Sequence, residues 1–331
     1  MRQFLRAAPR AQRAWWAGLA VAANGLASSA LAQLANPPTA ASPSPETSQE
    51  ETAKGHGSVS IAYQNTYVDG MRTARGWVPT GSVRTQSLRF DVDYFFADKW
   101  SAQLGLPFIE ARYEGNFPHC ITNAPPQCAG ATVPSQPHPE SQFLDDGHYH
   151  GTWQDWHLGL AYHENVNDYL ITPSITLTIP SHDYTFFAKA AAGQGLRKLE
   201  LAVELAHQLE LSNLYYRVRL GRVFAPVTLG QSIDHNRLDL ELGYFLDETW
   251  TVKVFSVGRK GNGYFGPYDM TTEEWYHHDQ RAPHNYASVG FGFDYHIDER
   301  YTLSTTVQRL VWGEIVFDFK YSFDVRLTRE F

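Results

Sequence analysis

The chain has 331 residues with 27 basic and 35 acidic side chains, a formal charge of −8, and aromatic residues make up 14% of it. The acidic excess gives no reason to expect nucleic acid as a partner. After residue 32 no run of 18 apolar residues occurs, so no helix there is apolar enough to cross a membrane; strands that turn only alternate residues to lipid would show this same averaged polarity.

Arg2, Arg6, Arg10 and Arg13 precede an apolar, small-residue run from Ala14 to Ala27, and Ala30-Leu31-Ala32 is a small-x-small site. Residues 1–32 read as a cleaved secretory signal, which leaves 23 basic residues against 35 acidic ones, a charge of −12. Residues 33–56, rich in Pro, Ser, Thr, Ala and Glu, predict a disordered periplasmic tail. Residues 57–331 then carry period-2 strand signals throughout.

The apolar rows follow in order: Val59 to Tyr63, Leu88 to Phe96, Trp100 to Phe108, Trp156 to Tyr162, Tyr169 to Ile179, Leu199 to Leu205, Tyr216 to Leu220, Leu238 to Leu246, Trp250 to Val254, Ala287 to Ile297 and Tyr301 to Val307. The last row is Ile315, Phe317, Phe319, Tyr321, Phe323, Val325 and Leu327, ending on Phe331. Twelve strands in all predict an all-β, antiparallel, up-and-down transmembrane barrel in the bacterial outer membrane, surrounded by its lipids. Short periplasmic turns fall at 97–99, 247–249 and 298–300, with four-residue turns at Glu164–Asn167 and Glu210–Asn213 absorbing changes of parity. Longer connections run over 69–80, 114–150, 181–195, 225–233 and 259–283 on the opposite, extracellular side.

The alternate rows face the lumen. They hold Arg89, Lys198, Arg217, Arg219, Arg237, Lys253, Lys320 and Arg326 against Asp91, Asp93, Asp155, Glu200, Glu204, Asp239, Glu241, Asp294, Asp318 and Asp324. Such a near-balance suits either a lattice of ion pairs that props the barrel or a selectivity lining. Cys120 and Cys128, in one loop of an exported chain, predict a local disulfide. Histidines gather in the second and fifth long loops: His119, His138, His148 and His150, then His277, His278 and His284. The pair His148-x-His150 could chelate a metal only with a third ligand from elsewhere, so no metal or cofactor is expected. Tyr264, Phe265, Tyr268, Trp275 and Tyr276 suit a vestibule for a flat apolar solute. No Ser–His pair sits in a recognisable hydrolase motif, so no catalytic residue is assigned.

Three segments carry a resemblance: Val92-Asp93-Tyr94-Phe95-Phe96-Ala97-Asp98-Lys99-Trp100 into Leu104-Gly105-Leu106-Pro107, Gly151-Thr152-Trp153-Gln154-Asp155-Trp156, and Pro173 to Pro180. They are similar to the MetA-type outer-membrane family, named for the meta-pathway of phenol degradation, whose members are described as transporters of aromatic compounds. The resemblance implies a channel for small solutes, aromatic or otherwise apolar ones among them, by passive or facilitated diffusion, and it implies no catalytic residues. The terminal Phe331 resembles the signal read by the outer-membrane assembly machinery. Two further readings stand beside the channel: a closed structural or surface-interaction barrel, and an outer-membrane lipid hydrolase.

Overall fold

The computed structural model describes residues 53–74, 76–115, 143–210, 212–263 and 271–331. Residues 1–52, Cys120, Cys128, His119, His138, Tyr264, Phe265 and Tyr268 lie outside the described residues.

The strands are β1 (Gly57–Thr73), β2 (Gly76–Ala97), β3 (Trp100–Glu114), β4 (His150–Trp153), β5 (Trp156–Tyr162), β6 (Glu164–Val166), β7 (Tyr169–Ile179), β8 (Lys198–Gln208), β9 (Leu214–Phe224), β10 (His235–Phe245), β11 (Trp250–Gly261), β12 (Asn285–His296), β13 (Tyr301–Glu314) and β14 (Val316–Glu330). Two short helices, α1 (Thr272–Tyr276) and α2 (His278–Arg281), precede β12. All the strands pair antiparallel in one sheet, and β1 pairs with both β2 and β14, so the sheet closes. β3 pairs with β4 and β5, and β7 with β5 and β6, so those three pieces are one spanning strand. The result is the expected barrel of twelve spanning strands.

The pleat separates two media. On β1, Val59, Ile61 and Tyr63 are exposed on the outer face while Ser58, Ser60 and Gln64 are buried within, and the same alternation runs through Leu88 to Tyr94 and Leu238 to Tyr244. The outer rows form an apolar belt, and closure leaves the sheet no open edge, which a lipid interior requires. Asp247 and Asp298 fix two of the periplasmic turns. Each carboxylate accepts two backbone N–H groups, from Thr249 and Trp250 at 2.7 and 2.8 Å and from Arg300 and Tyr301 at 2.8 Å each.

Four expectations are corrected. Residues 164–167 are not a four-residue turn: Glu164 and Val166 continue the outer row as β6, and the chain reverses at Asn167 and Asp168, with Asn167 at φ 56°. The first long connection is instead an extension of the β1–β2 hairpin, paired as far as Thr73 and Gly76. Arg259, expected to begin a loop, belongs to β11.

The fourth correction concerns the closing strand. Opposite β1, Tyr67 faces Tyr321 but Val68 faces Phe319, so Lys320 is the extra residue of a bulge. Above it the rows exchange. Phe317 and Phe319 turn inward and pack with Val68, Val83, Tyr113 and Leu310, while Asp318 and Lys320, expected in the lumen, fall on the opposite face of the strand, Asp318 buried and Lys320 exposed. There Asp318 joins Arg72 at 3.0 Å and Lys320 at 2.7 Å, and the Lys320 ammonium lies 5.7 Å from the centre of the Trp77 ring. Ile315 is no strand residue either: it turns the chain between β13 and β14 at φ 55°, a conformation that costs a β-branched residue about 1–3 kcal/mol.

Inside, Gly243 is required by a neighbour. Tyr215 is fully buried, its hydroxyl donates to Glu241 at 3.1 Å, and its ring covers Gly243 so closely that a Cβ there would lie 2.1 Å from Cζ. The substitution Gly243→Ala should therefore destabilise the barrel by roughly 1–3 kcal/mol. Urea unfolding in lipid checks this, and a Tyr215→Ala/Gly243→Ala pair should remove most of the clash.

Candidate functional site

The lumen has two unlike walls. On β8 to β12 the inward residues are charged and interlocked. Arg217 reaches Glu241 at 3.2 Å and Glu204 at 3.8 Å, Arg219 reaches Glu200 at 2.6 Å and Asp239 at 3.7 Å, Arg237 meets Asp239 at 2.9 Å, and Lys253 meets Asp294 at 2.7 Å. On β2 and β14 Arg89 pairs with Asp91 at 2.7 Å, Arg326 lies 3.9 Å from Asp91, and Asp93 and Asp324 are buried. In contrast, β3, β5 and β7 present Ser101, Gln103 and Gly105, then His157, Gly159 and Ala161, then Ser174, Thr176 and Thr178. Among these residues no ion pair forms, and most of the side chains are small and uncharged.

The upper lumen is filled from above. The connection from β7 to β8 turns inward, and Ala188 to Gln194 are buried without interruption; Gln280 to His284, leading into β12, are buried likewise. These two runs form a plug. The Gln280 amide donates to the Gln194 carbonyl at 2.5 Å, the Gln194 amide donates to the Asp279 carbonyl at 3.0 Å, and Arg281 Nε donates to Gln231 at 3.1 Å. Ala190 packs into an apolar cluster with Val68, Val83, Tyr113, Val257, Tyr286, Leu310, Phe317 and Phe319.

Two features hold the plug to the wall. The first is a bulge: between the pairs Phe108–Trp153 and Gly105–His157 the chain spends one residue more on the β4–β5 side, beside Pro107, which has no N–H to give. Trp153 and Trp156 stay outside, so the side chains of Gln154 and Asp155 both point inward. Gln154 donates to the Ala192 carbonyl at 2.5 Å, and the Tyr184 hydroxyl donates to Asp155. Burial and the Asp155 charge push the Tyr184 phenol up. The second is Asp145, whose two oxygens accept the backbone N–H groups of Lys189 and Ala190 at 2.9 Å each. Burial pushes this carboxyl up despite those bonds.

The histidines divide between roles. His148 and His150 serve Asp146, the first through its backbone N–H at 2.9 Å and the second through its ring at 2.8 Å. His277, His278 and His284 belong to the plug: His277 bonds Gln280 at 2.7 Å and packs against Phe186 and Phe187, and His278 lies 3.4 Å from Lys189 Nζ. Of the aromatics expected in the vestibule, Tyr276 lies edge-on to Phe187 at 6.2 Å. Among the described residues, no group of three or more His, Cys, Asp or Glu is placed to hold a metal ion.

His284 makes the plug sensitive to acid. It is buried between the Asp279 carbonyl, 3.2 Å from Nε2, and the Phe317 ring, and desolvation together with the Arg259 and Lys198 charges lowers it to about 3. Because its pKa in the closed state lies below the ordinary value of 6.5, closure has its full stability above pH 6.5 and loses it as the pH falls from 6.5 toward 3, by about 2 kcal/mol at pH 5. Asp145, raised by burial, works in the opposite direction where it titrates. Proteolysis of the 181–197 segment should accordingly quicken on acidification, and His284→Gln should flatten that profile.

No family model matches the chain, and no curated protein matches it. Among solved structures, the COG4313 outer membrane channel from Pseudomonas putida F1 superposes with a TM-score of 0.62 at 13% identity, over 86% of this chain and all of that one. The NanC porin reaches 0.46 at 11% identity, over 81% of this chain and 98% of that one, and the Ralstonia pickettii toluene transporter TbuX 0.43 at 13%, over 83% and 89%. The first likeness shows that the barrel architecture is shared.

Proposed function

We propose that the chain is a bacterial outer-membrane channel of MetA type that admits small solutes, aromatic ones among them, by passive or facilitated diffusion, and that it is not an enzyme. The observation that carries this reading is the asymmetry of the lumen: ion pairs brace β8 to β12 and the Arg89–Asp91 group, while the arc of β3, β5 and β7 is faced mostly with uncharged Ser, Thr, Gly, Gln and His side chains. The upper lumen is covered by a plug attached through a few side-chain hydrogen bonds. Phe186, Phe187, Tyr276 and His277 form a half-buried ring cluster on the plug and suit the capture of a flat apolar solute. The shared architecture with a solved outer-membrane channel agrees with it.

Solute uptake into liposomes carrying the refolded protein tests the reading, with phenol, a sugar and a small ion compared against empty liposomes. Protein-dependent uptake supports a channel. No uptake by this chain or by a variant with a loosened plug would favour the closed structural barrel.

Assembly forms part of the same proposal. Phe331 and Gly57 exchange backbone hydrogen bonds at 3.0 Å in both directions, and the Phe331 ring lies over Gly57. Deleting Phe331 should lower the folded, membrane-inserted fraction several-fold; quantitative immunoblots of outer membranes check it, and unchanged levels would remove the assembly role.

A further inference from the structure

On the outer wall of β13, β14, β1, β2 and β3, away from the short turns, the side chains change character row by row. Tyr63, Leu88 and Phe108 stand opposite one another across the β1–β2 and β2–β3 ladders and end the apolar belt there. The next row is Asn65, Gln86 and Glu110, and the one after it is Tyr67, Arg84 and Arg112. β14 continues that last row with Tyr321, the partner of Tyr67. β13 ends it with Arg309, which follows Gln308, whose own partner Ser322 follows Tyr321. The sequence neighbours Thr66, Thr85, Ala111, Gln308 and Ser322 are buried on the inner face, so the row itself faces outward.

This row holds cations without neutralising them. The Arg84 guanidinium lies 5.5 Å from the centre of the Tyr67 ring, and Tyr67 stacks on Tyr321 with 6.0 Å between ring centres. Arg84 and Arg112 stand directly opposite each other, which like charges disfavour. Arg84 and Arg309 are exposed and have no ion-pair partner among the described residues, and Glu110 pairs with none of the three arginines. Arg112 has one partner, the exposed Glu114, at 2.8 Å. By contrast Arg222, on the outer row of β9, is held by Asp234 at 3.2 Å and Asn236 at 3.0 Å. The row beneath the arginines is a chain of neutral groups: Asn65 Nδ2 donates to the Tyr63 hydroxyl at 3.2 Å, that hydroxyl donates to Gln86 Oε1 at 3.0 Å, and the Tyr321 hydroxyl donates to Asn65 Oδ1 at 3.4 Å.

We propose that this face is a docking surface for the phosphorylated sugar headgroup of the outer-leaflet glycolipid, lipopolysaccharide, with Arg84 and Arg309 taking its phosphates and Asn65 and Gln86 its hydroxyls. The proposal goes beyond the channel reading and does not rest on it. Arginine suits the task, because its planar fork takes two phosphate oxygens at once and its flat face stacks on a ring. The position suits it too: a headgroup held on this row lays its acyl chains along Tyr63, Leu88 and Phe108. From Arg309 to Arg112 the row crosses four strand intervals, roughly 19 Å. That length fits a disaccharide phosphorylated at both ends better than a single phosphate.

The test is native mass spectrometry of the full refolded chain in detergent, titrated with lipopolysaccharide, with the same glycolipid stripped of its phosphates, and with phosphatidylglycerol. Circular dichroism confirms the barrel in each variant. Lipopolysaccharide should bind tightest of the three. Arg84→Gln and Arg309→Gln should each weaken it roughly fivefold, the contribution of one arginine at a lipid surface being of that order. The two lie roughly 14 Å apart, so the double variant should lose roughly twenty-five-fold. Lys260→Gln, exposed near the end of β11, should leave binding unchanged. Equal binding of the phosphate-free glycolipid or of phosphatidylglycerol overturns the site, as does a double variant that binds like the parent chain. A loss in Lys260→Gln as large as in Arg84→Gln would reduce the effect to net charge and overturn it as well.

Discussion

Replacing Asp145 by alanine should raise solute flux through the barrel roughly thirtyfold. The carboxylate accepts two backbone N–H groups of the plug, and bonds to a charged acceptor contribute about 1.5–3 kcal/mol each. Removing a carboxyl that burial disfavours returns part of that, leaving about 2 kcal/mol, which corresponds to the stated change in the open population. Asp145→Asn keeps one acceptor and should fall between. The barrel itself should melt as before, because Asp145 lies in a connection and not in the sheet. Liposome uptake reads the flux, and amide exchange at Lys189 and Ala190 reads the plug. Faster exchange without greater flux would mean that a different constriction limits passage.

The largest loss of stability is expected from Lys253→Met. Its ammonium bonds both oxygens of Asp294, at 2.7 and 2.8 Å, with both side chains almost wholly buried. Removing one partner strands the other charge, at a cost of about 3–5 kcal/mol. The double variant Lys253→Met/Asp294→Leu should recover most of it, since a well-packed apolar pair of similar volume can replace a buried ion pair. Urea titrations of the two single variants and the double variant in lipid give the coupling. A double variant as unstable as the first would show that Asp294 has other work, for instance toward His296.

The spanning strands were legible because each medium reads every second residue, and the length of an apolar row is set by the bilayer. The same rule misled where one residue was inserted. Nothing in the alternation of Phe317, Phe319 and Tyr321 announces the bulge at Lys320, which is visible only in the pairing with β1. Gln154 was missed for the opposite reason: two adjacent inward side chains break the period, so only Asp155 looked luminal. Pro107, opposite, was the available sign. Arg259 lay on the inward parity of β11, two residues past Val257, and was lost because the apolar row appeared to end at Val254. The plug had no periodic signal at all. Ala188 to Gly193 reads as a small-residue loop, and its burial depends on Asp145 and Gln154, far away in sequence.

The closure of the sheet also dictates an order of events. Each neighbouring pair of spanning strands is a hairpin, joined by a single connection, except β1 with β14, which brings together the two ends of the barrel. Hairpins form from near neighbours, while this last ladder must wait for the rest of the chain. Until it zips, the first and last strands are raw edges with unmet amides, ready to pair with any strand that passes. The vulnerable species is therefore the nearly complete barrel, and the slow step of maturation should be the docking of Phe331 onto Gly57.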